Sequence, residues 1–289
     1  MSISKKLDLA IKVAETKTTD GAYGKYNTYM TEEEWSAFKA TMLPSTLEEY
    51  GAGGGDELSP KNGRPPKMAC YGSSSRLIYK LSCHKDDFHY EKKLSTTVGG
   101  TANLDGFMEE NSRYVFVEAK CHEPYSTKSA SVSKAYEKLY TYINTHMGGN
   151  VEIEMKTSKC GRYLDATYYS KGEKLEHFDM KQMICHLLGI ATGVLKGELK
   201  QKQIDFIYLL YDPPKLNLDP DIKAQVNAIY KRTCYECNLI DFATLLRTIF
   251  AFLKEEKYGE VVSDEELDLL ICKFRFSLVS QEFYSALLH

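Results

Sequence analysis

Residues 102–120, ANLDGFMEENSRYVFVEAK, constrain this chain more than any other stretch. Two strand-length runs flank a short polar turn, EENSR. A hairpin centred on Asn111 and Ser112 makes the numbers of opposed residues sum to 223, which sets Asp105 opposite Glu118. Opposed residues of an antiparallel pair hold their Cβ atoms about 4.5–5.5 Å apart. Strand alternation places Glu118 and Lys120 on one face. Two carboxylates and an ammonium therefore converge on one patch, and a register slip of one residue would scatter them.

The neighbouring patterns give this hairpin a setting. FHYEKKLST (88–96), TANLDGFM (101–108) and YVFVEAKC (114–121) read as consecutive strands. IDFIYLLYD (204–212), stopped by Pro213 and Pro214, is an apolar run suited to a strand buried on both faces. Helices are expected at 3–16, after the capping box Thr31…Glu34 with Trp35 and Phe38 on one face, and after Pro44 until the glycine run 51–55. Others are expected from the serines 73–75 to about 83, at 129–146, at 178–190, and beyond Pro220 at 221–235, 239–256 and 264–275. The order implies one α/β domain over 1–289. It comprises an N-terminal helical segment (1–60), central strands with helices before, between and after them, and a C-terminal helical extension (219–289).

Composition excludes several classes. Of the 289 residues, 43% are apolar and 27% charged, as in ordinary globular proteins rather than disordered or fibrous ones. No apolar run approaches the roughly 18 residues of a membrane span. Lysines and acids interrupt the first fifteen residues, so neither a signal peptide nor a membrane partner is expected, and a cytoplasmic setting is. The eight cysteines are scattered, and Cys234-Tyr-Glu-Cys237, the one Cys-x2-Cys, has no second ligand pair with matching spacing for a structural zinc site. The net charge of −3 advertises no polyanionic partner, but its distribution is uneven. Residues 61–93 hold eight Lys/Arg against three acids, and 254–268 hold seven acids against two lysines.

Paired carboxylates beside a lysine suit a hard divalent cation such as Mg²⁺, which takes oxygen ligands and is typically held by one or two carboxylates plus a substrate phosphate. Such an ion polarises a phosphoryl oxygen and acidifies a bound water, while a lysine orients the water or stabilises developing charge. Asp-x12-Glu-Ala-Lys across a hairpin resembles the active-site signature of the PD-(D/E)XK nucleases, the restriction-endonuclease-like superfamily. The runs GGGDEL (53–58), RPPKM (64–68), SSSRL (73–77), FHYEKKL (88–94), FDMKQMICHLLGI (178–190) and the strand ending YDP (211–213) look like an uncharacterised bacterial branch of it. Leu104 stands where the family name places proline.

The resemblance implies a restriction-endonuclease-like core over 70–213, a central mixed sheet flanked by helices, and a Mg²⁺-dependent deoxyribonuclease of endonuclease type, with Mn²⁺ as a substitute and 5′-phosphate products. Asp105, Glu118 and the Ala119 carbonyl would hold the metal, and Lys120 would assist the water. Glu91 would be a third acid and Gln182 a polar active-site residue on the following helix. Arg64, Lys67, Arg76, Lys134 and Lys138 are candidate DNA phosphate contacts. His186, four residues after Gln182, reads as a hydrogen-bonded packing residue and Glu57 as a helix N-terminal acid or a further site acid. Cutting both strands would favour a homodimer, and a partner methyltransferase is compatible with the reading. An exposed hairpin could carry the same three charges as an ion-pair cluster worth about 0–1 kcal/mol. Here, however, the charges interrupt an apolar run, and buried charge needs a reason. The rival from another class is a catalytically silent DNA-binding or scaffold protein on the same fold.

Overall fold

A computed structural model describes residues 2–53, 57–126, 130–200, 202–213, 216–258 and 263–287. Part of the glycine run, the expected helix start at 129, Pro214 and residues 259–262 of the acidic stretch lie outside them. The chain opens with α1 (Ile3–Thr16), α2 (Glu32–Ala40), α3 (Pro44–Ala52) and α4 (Ser74–Ser82). Caps explain where these helices start. Thr31 and Glu34 form the capping box of α2, Pro44 begins α3, and the Ser73 hydroxyl accepts from the Arg76 N–H at the head of α4.

Three antiparallel strands follow: β1 (Phe88–Thr96), β2 (Gly100–Glu109) and β3 (Arg113–Lys120). After β4 (Ala130–Ser133), α5 (Glu137–His146), β5 (Glu152–Thr157), β6 (Tyr163–Ser170) and β7 (Glu173–Lys174), the chain enters α6 (Met180–Leu195) and β8 (Gln203–Leu210). The C-terminal part holds α7 (Pro220–Asn238), α8 (Phe242–Leu253), α9 (Asp264–Cys272), β9 (Phe274–Ser280) and α10 (Gln281–Leu287).

The result is an α/β fold on a mixed five-stranded sheet ordered β1-β2-β3-β8-β9, with β8 and β9 parallel to β3. Both faces are covered. Tyr114, Phe116, Ile204 and Phe206 pack with α5, α6 and α8, while Val115, Val117, Ile207 and Leu209 pack with α1 and α4 on the other side. That double burial explains the apolar stretches Tyr114–Val117 of β3 and Phe206–Leu210 of β8. Among the described residues no helix is long and apolar enough to cross a membrane.

Three expectations need correction. The helix expected over 129–146 is helical only from Glu137, because Ala130–Ser133 pairs with β6 and a 3₁₀ turn spans Lys134–Tyr136. Residues 147–177, for which the sequence reading expects no element, form most of a second sheet ordered β4-β6-β5, with β7 paired to β6. The C-terminal extension is not wholly helical either: α9 stops at Cys272, and β9 becomes an edge of the central sheet.

Candidate active site

The β2–β3 ladder pairs Gly106 with Val117 and Glu109 with Tyr114, the register that the two-residue turn requires. Beyond Gly106 the strands part. Asp105 replaces the ladder with its side chain, accepting the Ala119 N–H on Oδ2 at 2.8 Å. The N–H and C=O of one strand residue leave on the same side, so the Ala119 carbonyl also faces β2.

The β1–β2 ladder is interrupted at the same level. Tyr90 pairs with Gly106 and Lys92 with Leu104, but the opposed Glu91 and Asp105 between them do not pair. Glu91 has φ 53°, a left-handed conformation that is uncommon without glycine. Both strands change alternation phase here. Phe88, Tyr90 and Met108 pack on the α4 side, whereas Leu94, Ala102 and Leu104 pack on the α6 side. This dislocation sets Glu91 and Asp105 in the wall of a cleft of about 1090 Å³, which Glu118, Lys120 and Gln182 also line. Backbone strain of this kind costs about 1–3 kcal/mol and persists only where the surroundings hold it.

Glu118 and Lys120 continue the α6-facing stripe of β3. Lys120 Nζ lies 2.7 Å from Glu118 Oε1, and His186 Nε2 donates to Glu118 Oε2 at 2.9 Å. Lys120 also donates to Gln182 Oε1, and Asp179, the N-cap of α6, lies 3.9 Å from its ammonium. Gln182, His186 and Gly189 fall at i, i+4 and i+7 of α6, one helical stripe. Gly189 lets that stripe approach the sheet, since a Cβ there would stand 2.7 Å from Ala102 Cβ and 3.0 Å from Leu94 Cβ. Tight packing of α6 thus delivers Gln182 and His186 to the acid–lysine pair. His186 packs as expected, yet its partner is the site's own carboxylate.

The electrostatics divide the acids. Burial pushes Glu118 up, but Lys120 and His186 outweigh it and hold the carboxyl below its usual range. Burial likewise favours neutral Lys120, yet Glu118 prevails and keeps its pKa well above that of an ordinary lysine. Asp105 is raised well above the usual carboxylate range by burial and then by Glu118. Glu91 is pushed up to about 7 by burial, Glu57 and Glu118. Glu57 is buried; its Oε1 accepts from Lys67 at 3.1 Å, while Oε2 has no hydrogen-bond partner among the described residues. The carboxylates here exceed what the neighbouring cations satisfy, and the donors are oxygens. Asp105, Glu118 and the Ala119 carbonyl therefore fit a hard cation. The acids of this wall do not bring three ligand atoms within 4.8 Å of one another; among the described residues Asp8, Cys70 and His122 do.

The expected phosphate contacts are dispersed. Arg64 and Lys67 are exposed and line the cleft. Arg76 is not available to a phosphate: it is 5% exposed, stacks 4.9 Å from the Tyr71 ring and forks onto Glu15 at 3.0 and 2.5 Å. Lys134 and Lys138 do not share a helical face, because Lys134 lies in the 3₁₀ turn. Neither lines the cleft, and Lys138 pairs with Glu256 of the acidic stretch at 3.0 Å. The basic stretch 61–93 consequently does not form a positive wall; nine Asp/Glu line the cleft against six Lys/Arg. Glu57, weighed in the sequence as a further site acid, does line the cleft, whereas Asp179 and the Asp8–Cys70–His122 group were not among the site residues expected. Only the N-cap position of Asp179 before an apolar helix was a legible signal.

Compared with known proteins, the chain has no significant match to a family model, a curated protein or a solved structure.

Proposed function

We propose that the cleft is the active site of a divalent-cation-dependent phosphodiester hydrolase acting on DNA, with a restriction-endonuclease-like core and endonuclease action. The observation that carries the reading is the forked sheet. Asp105 is fixed by the Ala119 N–H at the point where β2 leaves β3, beside the buried Glu118–Lys120 pair. An accidental surface cluster would be exposed and weakly held.

Asp105, Glu118 and the Ala119 carbonyl would hold Mg²⁺ or Mn²⁺. Such an ion, when bound, polarises the phosphoryl oxygen and acidifies water. Lys120 stays an ammonium in this environment, so it serves by donating to the attacking water and stabilising negative charge on the phosphorus oxygens rather than by removing a proton. Gln182 and Glu118 fix its direction. Glu91, opposite Asp105 and pushed up to about 7, is the carboxyl suited to accept the water's proton.

The net acidity of the lining bears on the substrate. DNA phosphates entering the cleft depend on bound cations to offset the carboxylates, while Arg64 and Lys67 supply the positive rim. The test is a plasmid and single-stranded DNA cleavage assay with Mg²⁺, Mn²⁺ or Ca²⁺. The wild type should cut with the first two and bind without cutting in Ca²⁺, and Asp105→Asn should not cut. Binding that ignores the metal, with no cleavage in Mg²⁺ or Mn²⁺, would replace this reading with the silent DNA-binding one. Absence of both would end it.

A further inference from the structure

We propose that Asp8, Cys70 and His122 form a second metal site, for a thiophilic divalent cation of the zinc class, that clasps the N-terminal helix to the wall of the cleft. Their ligand atoms lie within 4.8 Å of one another. They come from three separate segments: α1, the turn before α4 and the turn after β3.

Each segment has a fixed backbone. The Cys70 N–H donates to the Lys67 carbonyl at 2.9 Å, and the Ser73 N–H to the Cys70 carbonyl at 3.1 Å. The His122 carbonyl accepts from the Tyr125 N–H at 3.1 Å. His122 Nδ1 lies 2.9 Å from Asp8 Oδ1. Gly72 makes room for that pair. A Cβ at this position would stand 1.8 Å from Asp8 Oδ1 and 3.0 Å from His122 Nδ1, so no other residue fits without displacing them.

The donor set selects the ion. Mg²⁺ and Ca²⁺ take oxygen ligands, whereas one thiolate, one imidazole and one carboxylate suit zinc and its neighbours. Bonds of about 2.0–2.3 Å in a tetrahedron set ligands roughly 3.3–3.6 Å apart, so the Asp8–His122 contact has to open by about half an ångström. Three protein ligands leave a fourth position. Cys70 and His122 line the cleft and Asp8 does not, which turns that position toward the cleft and its water. This site is separate from the acid pair of Asp105 and Glu118 and does not rest on the hydrolase reading.

The test uses the full chain, stripped with chelator and titrated with Co²⁺ and then Zn²⁺. One Co²⁺ per chain should bind with a thiolate-to-metal charge-transfer band, and one equivalent of Zn²⁺ should abolish that band. Cys70→Ser should remove the band, and His122→Gln should lower Zn²⁺ affinity by more than the 10- to 100-fold that loss of an outer partner costs. Asp105→Asn should leave both unchanged. X-ray absorption at the zinc edge of the wild type, which needs no variant to fold, should show one sulfur at about 2.3 Å with nitrogen and oxygen neighbours. No stoichiometric band, a band that survives Cys70→Ser, or two sulfurs at the edge (the signature of Cys234 and Cys237) would overturn the proposal.

Discussion

Replacing Lys120 with methionine isolates the charge on Glu118 while keeping most of the side-chain volume. The two side chains are only 7% and 2% exposed, so water screens the pair little. Removing one partner of a buried pair costs about 3–5 kcal/mol, because the other charge is stranded. His186 still donates to Glu118 Oε2 at 2.9 Å, which favours the lower end, about 3 kcal/mol. A domain somewhat smaller than this chain loses roughly 2–4 °C per kcal/mol, so Tm should fall by about 6–12 °C. The pH dependence has a definite sign. In the wild type, Glu118 is held below its usual range, so its contribution is present above the unfolded pKa and is lost as pH falls through the folded one. Without Lys120, burial raises Glu118, and the carboxyl takes up a proton as pH falls from about 8 toward 5. The deficit should shrink to roughly half or less over that range. Thermal and urea unfolding of both proteins in chelator, at the two pH values, measure it. A Tm loss below about 2 °C at the higher pH, or a deficit independent of pH, would refute a buried and mutually dependent pair. Glu118→Gln with Lys120→Met should recover most of the loss, because neither charge is then stranded.

Asp105→Asn keeps an oxygen for the Ala119 N–H but removes a charge that burial and Glu118 disfavour. It should raise Tm in chelator by about 2–4 °C and abolish the stabilisation by Mg²⁺ that the proposed site predicts for the wild type, as read by calorimetry and thermal scans. Glu91, raised to about 7, makes wild-type stability fall as pH rises from the unfolded value near 4.5 toward 7. Glu91→Gln should therefore be stabilising by about 1–2 kcal/mol at pH 8 and nearly neutral at pH 4, and equal effects at both would contradict the shift. Gly189→Ala drives a Cβ to 2.7 Å from that of Ala102 and should cost about 1–3 kcal/mol, lowering the proposed DNA cleavage as Gln182 and His186 move away from β3. Adding Ala102→Gly should restore both stability and cleavage, and additive losses in the double variant would show that the contact is not the cause.

The hairpin register was legible because two local signals agree. EENSR permits a two-residue turn, and YVFVEAKC places Glu118 and Lys120 on one face, so any other register would misplace both. The caps at Thr31 and Ser73 and the double-faced run of β8 were legible for the same reason, since one local rule decides each. The misassigned helix at 130–136 fails differently. Val132, Tyr136, Leu139 and Ile143 fit helical spacing, but pairing of Ala130–Ser133 with β6 overrides it. The strand signal at 147–177 was present: Val151, Ile153 and Met155 alternate with acids and a lysine, as do Leu164, Ala166 and Tyr168 with polar or exposed neighbours.

The dislocation at Glu91 and Asp105 could not be read this way. Phe88, Tyr90 and Leu94 share one face under strict alternation, yet the structure sends Leu94 to the other side of the sheet. A phase change needs one residue held outside the β region, and Glu91 carries no glycine signature for φ 53°. Charge was equally opaque, because a basic run in sequence fixes no direction in space. Of the eight Lys/Arg in 61–93, Arg76 is spent on Glu15, Lys80 on the same carboxylate at 3.0 Å, and Lys92 lies 4.4 Å over the Phe107 ring. What remains at the cleft is Arg64 and Lys67, and Lys67 faces Glu57. The site is thus built around an excess of carboxylate, the opposite of a preformed phosphate cradle. Any affinity it has for DNA should therefore rise with divalent cation rather than exist without it.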